Sequence, residues 1–323
     1  MSATDPGPDS AARRVLLLVH TGRDEALQVA REFCASLSRH GLTVRLLSEE
    51  AAALGYSVGS LDGWIEITDS EDDAGHDCEL AIVVGGDGTI LRAAEITHVS
   101  GTPILGVNLG HVGFLAEAEP EDLEATIEAV IGRRYFSEDR LTLDVAVFQG
   151  TELVTRTFAL NEASVEKAAR QRMLDVVVEV DGRPLSRWGC DGVVCATPTG
   201  STAYNFSAGG PIVWPSVEAL LIVPISAHAL FARPMVVAPT SVLAVEVLAQ
   251  TQGAGVLWCD GRRTVELPPG ARIEVQRGAT PVRFARLQTA PFTDRLVAKF
   301  GLPVEGWRGV AERRLRANGN SDA

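Results

Sequence analysis

Residues 80 to 89 limit how this chain can fold more than any other segment. They read Leu-Ala-Ile-Val-Val-Gly-Gly-Asp-Gly-Thr, so an apolar run is followed by three glycines within four positions. The apolar run predicts a buried strand, and the spacing of Ile90, Leu91 and Ala94 predicts a helix directly after the glycines. A strand that turns through glycines into a helix presents backbone N–H groups at one place, which favours binding of a phosphate.

Asp87 lies inside this turn, and its charge needs an explanation. A carboxylate repels a phosphate unless a metal ion or a proton transfer is involved. The alternative without a ligand is an ordinary tight connection in which Asp87 bonds to nearby backbone. Two common phosphate loops do not fit, because a P-loop needs Gly-Lys-Ser/Thr and a dinucleotide fingerprint needs glycine where Leu91 stands.

The composition is that of a globular protein with a moderate acidic excess. A length of 323 residues favours two domains over one. The residues are 46% hydrophobic and 22% charged, which is ordinary for a globular protein. The net charge of −13 argues against a general nucleic-acid partner, and no apolar run is long enough for a membrane span. The lysines are Lys167 and Lys299, and neither is near the glycines, so a phosphate site there would use backbone amides, arginine or a metal.

The cysteines and the N-terminal residues indicate where the protein works. The five cysteines are odd in number and have no C-x-x-C spacing, which predicts reduced thiols and a cytoplasmic location. Residues 1–12 are small, polar and acidic, so we expect a disordered tail and no signal peptide.

Strands alternate with helices in the first part of the chain. This alternation predicts an α/β domain with a parallel sheet over residues 13–136. The predicted strands are 14–20, 42–47, 78–84 and 103–108, and the predicted helices are 23–40, 49–54 and 120–132. Residues 55–75 are acidic and predict a loop with one weak strand.

The pattern changes to short strands separated by turn residues, which predicts an all-β domain over residues 137–291, as a sandwich or layered sheets. The predicted strands are 142–148, 151–158, 174–180, 193–196, 219–223, 236–237, 242–247, 256–259, 264–267, 273–277 and 282–287. A helix follows, and we expect the segment 292–316 to pack back on the first domain and complete it.

Two further segments are candidates for a binding site. Residues 189–211 are rich in small and hydroxyl side chains, which favours a buried loop that lines a pocket over a simple polar connection. Ser201 in this segment has no Gly-x-Ser-x-Gly context to make it a nucleophile. Asn161 and Glu162 could hold an adenine edge and a ribose diol, although a turn or a helix cap remains the alternative for this pair.

Taken in order, these motifs resemble the NAD kinase family, over about residues 15 to 303. The resemblance rests on Gly85-Gly-Asp-Gly-Thr89, Asn161-Glu162, Asp191-Gly192, Thr197-Pro-Thr-Gly-Ser-Thr-Ala-Tyr204 and Gly209-Gly-Pro211. Phosphofructokinases and diacylglycerol and sphingosine kinases share the glycine turn, but the run from Thr197 to Tyr204 separates this chain from them. The family fold is an α/β domain with a parallel sheet plus an all-β C-terminal domain.

The resemblance implies transfer of a phosphoryl group from ATP, or from polyphosphate, to the 2′-hydroxyl of the adenosine ribose of NAD, which gives NADP. It implies that Asp87 is the catalytic carboxylate and that Mg²⁺ is the divalent metal. It also implies a homodimer or a homotetramer. The implied phosphate-binding turn is Gly85, Gly86, Gly88 and Thr89, and the implied NAD-binding residues are Asp87, Gly88, Arg92, Asn161, Glu162, Arg172, Asp191, Thr202, Ala203, Tyr204, Asn205, Phe206 and Ser207, with Arg170 as the alternative to Arg172.

Two other functions use the same features. A lipid kinase would share the glycine turn and a β-rich second domain, but the acidic chain and the hydroxyl-rich loop speak against it. A dinucleotide sensor without catalysis would gain nothing from Asp87, because a carboxylate beside phosphate weakens binding.

Overall fold

The computed structural model describes residues 13–109, 113–116, 123–169, 173–251, 253–288 and 291–304 of the chain. No helix within these ranges is both long and apolar enough to cross a membrane. The predicted tail of residues 1–12 and the part of the predicted C-terminal helix beyond residue 304 lie outside the described residues.

The first part of the chain alternates strands and helices, as predicted. Its strands are β1 (Arg14–Val19), β2 (Thr43–Leu47), β3 (Ile65–Thr68), β4 (Leu80–Val84) and β5 (Ile104–Val107), and its helices are α1 (Asp24–Arg39), α2 (Ser48–Leu54), α3 (Glu71–Ala74), α4 (Asp87–Thr97) and α5 (Leu123–Ile131). These strands pair in parallel in the order β3-β2-β1-β4-β5. The predicted parallel α/β architecture is therefore confirmed.

Helices cover both faces of this sheet because alternate side chains of β1 face opposite ways. Leu17 belongs to the same buried cluster as Phe33 of α1, whereas Leu16 belongs to the cluster that contains Ile90 and Ala94 of α4. Burying one such leucine contributes about 1.5–3 kcal/mol of hydrophobic free energy. The two apolar faces thus hold β1 centrally and place α1 and α4 on opposite sides of the sheet.

The second part of the chain is built from strands and two short helices, and ends in a longer helix. The strands are β6 (Phe136–Arg140), β7 (Leu143–Gln149), β8 (Glu152–Ala159), β9 (Glu162–Lys167), β10 (Leu174–Val180), β11 (Arg183–Cys190), β12 (Gly192–Ala196), β13 (Leu220–Ile225), β14 (Met235–Val237), β15 (Leu243–Val247), β16 (Gly255–Cys259), β17 (Arg263–Leu267), β18 (Ala271–Arg277) and β19 (Val282–Arg286). The helices are a 3-10 helix at Thr199–Thr202, α6 (Tyr204–Ser207) and α7 (Phe292–Phe300).

Two antiparallel sheets of six strands pack face to face in this part of the chain. Their orders are β11-β10-β15-β18-β7-β8 and β14-β13-β12-β9-β16-β17. Val145 and Val176 of one sheet share a buried cluster with Val165 and Ile222 of the other. The prediction of an all-β sandwich is confirmed.

Two strands of the second part extend the first sheet. β19 pairs in parallel with β5, and β6 pairs antiparallel with β19, so the sheet has seven strands. The sequence places residues 137–140 and 282–287 within the predicted all-β segment 137–291, whereas the structure pairs both strands with the first sheet. An apolar pattern predicts a strand but does not identify its partner, and the domain boundaries themselves stay a prediction.

Strands β6, β9 and β11 were not predicted. Their sequences are Phe-Ser-Glu-Asp-Arg, Glu-Ala-Ser-Val-Glu-Lys and Arg-Pro-Leu-Ser-Arg-Trp-Gly-Cys. Polar residues dominate the first two, and the third contains proline and glycine, which are depleted in strands. Tertiary pairing makes them strands, since β9 lies between β12 and β16 in the centre of its sheet.

Helix α7 packs against the segment that follows β5. The ring centroids of Phe300 and Phe114 are 5.8 Å apart, and Nη1 of Arg295 donates a hydrogen bond to the carbonyl of Phe114 at 3.0 Å. Helix α7 therefore packs on the segment that follows β5.

Candidate active site

The glycine turn joins β4 to the N-terminus of α4 as predicted. Asp87 is the first residue of α4, and Gly86 precedes it as the N-cap. A Cβ atom on Gly85 would lie 2.6 Å from the Oγ1 of Thr89, whereas nothing lies within 4 Å of a Cβ on Gly86 or Gly88. The turn is therefore tight on its inner side and open on its outer side, where its N–H groups can reach a ligand.

The carboxylate of Asp87 is held by backbone from another part of the chain. Its Oδ2 accepts a hydrogen bond from the N–H of Phe114, and its Oδ1 accepts one from Leu115, both at 3.3 Å. A Cβ on Gly113 would lie 2.5 Å from Oδ1, so this residue must be glycine for the carboxylate to keep its place. Asp87 is thus oriented by the segment after β5, and not by a local turn.

A cavity of about 580 Å³ opens beside this turn at the carboxyl ends of β1 and β4. This is where ligands bind in parallel α/β sheets, and the volume is in the range of small-molecule sites. Three turns line the cavity: Gly86, Gly88, Thr89 and Arg92 come from the glycine turn and α4, His20, Thr21 and Arg23 from the connection between β1 and α1, and Asp260, Gly261 and Arg262 from the connection between β16 and β17.

Acidic side chains hold two of the three arginines that line the cavity. Nη1 of Arg92 lies 2.6 Å from Glu50, which is fully buried, and Nη2 lies 2.8 Å from Glu71. Burial raises the pKa of Glu50, and the guanidinium of Arg92 opposes that shift. Arg262 pairs with Glu95 at 3.1 Å, whereas Arg23 makes no ion pair within the described part of the chain.

Asp260 organises the corner where Asn161 and Glu162 lie. Its carboxylate accepts hydrogen bonds from the backbone N–H groups of Leu160 at 2.9 Å, Asn161 at 2.7 Å and Glu162 at 3.4 Å. Asp260 and Gly261 are among the turn residues between the predicted strands 256–259 and 264–267, so the sequence indicated only a turn here and not this role. No local signal could have revealed it, because the partners lie about a hundred residues away in the chain.

Glu162 is the most unusual carboxylate of the site. It is 6% exposed, and its Oε2 has no hydrogen-bond partner among the described residues. Burial, together with the charge of Asp260, raises the pKa of Glu162 to about 8, although the N–H of Tyr204 bonds to this group and opposes the shift. A buried oxygen without a partner needs one, and a ligand hydroxyl can supply it.

The hydroxyl-rich loop closes directly on the same corner. The N–H of Thr197 donates to the carbonyl of Asn161 at 2.9 Å, and its Oγ1 donates to the carbonyl of Leu160 at 2.6 Å. The N–H of Gly200 in turn bonds to that Oγ1 at 3.0 Å. The structure therefore brings the two predicted nucleoside-binding segments together.

The rest of the loop divides into buried and accessible side chains. Asn205 is fully buried, and its Nδ2 donates to the carbonyls of Ser201 and Pro211, both at 3.2 Å, so this amide supports the loop. Thr202, Ala203 and Tyr204 are half-buried, whereas Phe206 and Ser207 are exposed.

Asp191 lies at the other end of β9 from Glu162. It forms an ion pair with Lys167, whose hydrogen bond lowers the pKa of Asp191. Lys167 is the last residue of β9 and Glu162 is the first, so the two ends are about 17 Å apart along the strand. Within one chain, the structure therefore separates Asp191 from the Asn161–Glu162 corner.

The remaining predicted site features are a basic side chain and a metal. Arg172 and its alternative Arg170 lie outside the described residues. Among the residues that are described, no group of three or more histidine, cysteine, aspartate or glutamate side chains could hold a metal ion.

Comparison with known proteins identifies the family of the chain. Residues 15–135 match the ATP-NAD kinase N-terminal domain, and residues 160–287 match the ATP-NAD kinase C-terminal domain. The chain is 61% identical to the NAD kinase of Thermobifida fusca over 95% of this chain and 94% of that protein. It is 53% identical to the NAD kinase of Mycobacterium tuberculosis over 93% of this chain and 99% of that protein.

Two solved structures have a similar fold. The yeast NADH kinase complexed with NADH has a TM-score of 0.81 at 25% identity, and the match covers 91% of this chain and 89% of that one. The NAD kinase from Archaeoglobus fulgidus in complex with ATP has a TM-score of 0.63 at 27% identity, over 90% of this chain and 97% of that one. The chain therefore belongs to the NAD kinase family, whose enzymes phosphorylate NAD to NADP.

Proposed function

We propose that this chain transfers the terminal phosphoryl group of ATP to the 2′-hydroxyl of the adenosine ribose of NAD, with Asp87 as the catalytic carboxylate. The observation that carries the proposal is the placement of Asp87. Two backbone N–H groups orient its carboxylate at the turn that lines the cavity of about 580 Å³. Asp260, which lines the same cavity, holds Asn161 and Glu162 through their backbone.

The donor phosphates would bind at the glycine turn. The N–H groups of Gly86 and Gly88 and the positive end of α4 favour an anion there. Arg23 supplies charge, because Glu50 and Glu71 neutralise Arg92 and Glu95 pairs with Arg262. The similar Archaeoglobus enzyme was solved with ATP, which supports a nucleotide as donor. Inorganic polyphosphate has the same phosphate chemistry and is the alternative donor.

The acceptor would bind at the corner formed by Asn161 and Glu162. The unpartnered Oε2 of Glu162 can accept a hydrogen bond from a ribose hydroxyl, and Asn161 offers an amide. The accessible residues of the loop, Thr202, Ala203, Tyr204, Phe206 and Ser207, would line the same pocket, with the buried Asn205 supporting them. Arg172 or Arg170 would add a basic contact. The similar yeast enzyme was solved with NADH, which supports a dinucleotide here.

In the reaction, Asp87 accepts the proton of the 2′-hydroxyl while the ribose oxygen forms its bond to the terminal phosphorus. The bond from that phosphorus to the bridging oxygen breaks, and ADP leaves. Mg²⁺ would neutralise phosphate charge, and it commonly binds through substrate phosphates and one or two carboxylates. Each oxygen of Asp87 accepts one N–H and keeps a further lone pair, so the residues present fit such an ion.

Assembly and location remain proposals. We infer a homodimer or homotetramer in which Asp191 reaches the NAD site of a partner subunit, since within one chain it lies about 17 Å along β9 from Glu162. The exposed side chains of Leu230 and Phe231 offer an apolar contact in the β-rich part. The buried, unpaired cysteines fit a reducing compartment and the predicted cytoplasmic location.

A coupled NADP assay with ATP, NAD and Mg²⁺ tests the proposal. The wild-type protein should form NADP, and Asp87→Asn should reduce kcat by about 10² to 10⁴-fold. The variant should stay folded with a slightly lower melting temperature, because its amide can accept only one of the two N–H groups that the carboxylate accepts. Asp139→Asn is the matched control, because Asp139 is exposed and pairs with Arg283 away from the cavity. No NADP from the wild-type protein, phosphorylation of diacylglycerol in its place, or full activity of Asp87→Asn would refute the proposal.

A further inference from the structure

We propose that Arg263 is a positioning residue that fixes the Asn161–Glu162 corner relative to the helix that carries Asp87. The inference rests on the proposed function, because it concerns the alignment of the two reacting groups. Arg263 is the first residue of β17, and it contacts neither the glycine turn nor the predicted NAD-binding residues directly through a hydrogen bond or ion pair within the described residues.

The guanidinium of Arg263 joins three parts of the chain. Its Nη2 lies 2.8 Å from Oδ2 of Asp260, and its Nε lies 3.0 Å from Oε1 of Glu95. Its Nη1 donates a hydrogen bond to Oγ1 of Thr157 at 3.1 Å. One planar side chain therefore connects α4, β8 and the turn before β17.

The two carboxylates that Arg263 joins belong to the two sides of the proposed reaction. Glu95 is on α4, eight residues after Asp87, which is about 12 Å along the same rigid helix. Asp260 holds the backbone of Asn161 and Glu162. Through its ion pairs with Glu95 and Asp260, Arg263 therefore links the helix that carries the catalytic carboxylate to the ribose-binding corner.

Aromatic packing keeps the guanidinium in this place. Its Cζ lies 4.3 Å from the ring centroid of Phe158. The ring of His98, the C-cap residue of α4, stacks on Phe158 at 3.8 Å with an interplanar angle of 9°. Lysine could pair with one of the two carboxylates, but it lacks the planar fork that reaches both and stacks on the ring.

A shift of the Asn161–Glu162 corner relative to α4 should lower kcat more than it weakens the binding of ATP or NAD. Each substrate is held mainly by its own local group of residues, whereas phosphoryl transfer needs both groups in register, and a shift of about 1 Å can cost about a hundredfold in rate. We therefore expect loss of Arg263 to lower kcat by about tenfold to a hundredfold. The Kd values for ATP and NAD should change by less than about fivefold, because the local binding groups remain.

The experiment compares Arg263→Met, Arg263→Lys and Glu95→Gln with the wild-type enzyme. Arg272→Met is the matched control, because the side chain of Arg272 is 27% exposed, as is that of Arg263, and also pairs with carboxylates, but lies on β18 in the other sheet. The readouts are kcat, the Kd values for ATP and NAD, and the melting temperature. The Kd for ATP also reports on Arg262, which shares Glu95.

The expected result is a loss of kcat in all three site variants, no recovery in Arg263→Lys, and near wild-type kcat in Arg272→Met. A purely structural ion pair would be restored by lysine, so recovery of kcat in Arg263→Lys would overturn the inference. A kcat within about twofold of wild type in Arg263→Met would overturn it too. If Arg263→Met does not fold, Glu95→Gln decides by the same criterion. Wild-type protein that forms no NADP would refute the proposed function instead.

Discussion

Gly200 and Asn161 are in direct backbone contact, since a Cβ atom on Gly200 would lie 1.9 Å from the carbonyl oxygen of Asn161. This contact joins the hydroxyl-rich loop to the corner that begins β9. The N–H of Thr197 bonds to the same carbonyl at 2.9 Å. The loop and the corner therefore form one rigid unit, and a single methyl group at residue 200 would separate them.

Gly200→Ala should destabilise the protein and weaken NAD binding together. The contact is with backbone, which cannot rotate away, so we expect a loss of about 3 kcal/mol in the free energy of unfolding. Denaturant unfolding and the KM for NAD measure the two effects. Gly255→Ala is the control, because the nearest atoms to its Cβ would lie at 3.4 Å, and it should change stability by less than about 1 kcal/mol. Equal effects of both variants would contradict this account.

The glycine turn could be predicted from the sequence because all of its signals are local. The apolar run, the glycines and the helical spacing lie within about a dozen consecutive residues, and the structure has β4, the turn and α4 in that order. The role of Asp260 could not be predicted, since its carboxylate binds backbone groups far away in the chain. The backbone amides that hold Asp87 come from residues 114 and 115, which is also a tertiary effect.

The strands also show that local sequence signals can be predicted and tertiary pairing cannot. Strands β1, β2, β4 and β5 have apolar runs and were predicted, whereas β9 reads Glu-Ala-Ser-Val-Glu-Lys and was not. Its pairing with β12 and β16 on either side makes it a strand. The missed strand carries Glu162, so sequence reasoning identified the residue but interpreted its surroundings as a turn or cap.

Gly113→Ala should lower kcat without unfolding the protein. The added Cβ would lie 2.5 Å from Oδ1 of Asp87 and would displace this half-buried carboxylate. We expect kcat to fall by about tenfold or more, because a small displacement of a catalytic group costs much of its rate. Steady-state kinetics together with the melting temperature measure this.

The control for that prediction is the same change in an Asp87→Asn background. There the carboxylate has already been lost, so Gly113→Ala should have little further effect on kcat. If the two changes lowered kcat by independent factors that multiply in the double variant, Gly113 would act through something other than Asp87.

The stability of the ligand-free protein should depend on pH through Glu162. Burial raises the pKa of Glu162 from 4.5 to about 8, so the folded protein keeps this proton over a range in which the unfolded chain loses it. Stability from this group is therefore present at low pH and is lost as pH rises towards 8. The loss should be about 1.4 kcal/mol per pH unit in that range.

Glu162→Gln isolates this contribution, because glutamine has a similar shape and does not titrate. Urea unfolding of both proteins from about pH 5 to about pH 8 should show the wild-type protein losing stability relative to Glu162→Gln as pH rises. Burial also raises the pKa of Asp260, but this residue is present in both of the proteins that are compared. A difference that is constant with pH, or that grows in favour of the wild type, would contradict the assigned pKa.

Glu50 and Glu71 both pair with Arg92, but only the buried one should matter for stability. The side chain of Glu50 is 0% exposed and that of Glu71 is 56% exposed. Glu50→Gln removes the nearest charge of the half-buried Arg92 guanidinium and weakens a charged hydrogen bond, so we expect a loss of about 2 kcal/mol in the free energy of unfolding. Glu71→Gln should cost less than about 1 kcal/mol, because water and salt screen an exposed pair. Urea unfolding of both variants at neutral pH tests this, and equal losses would mean that burial does not decide how Arg92 is held.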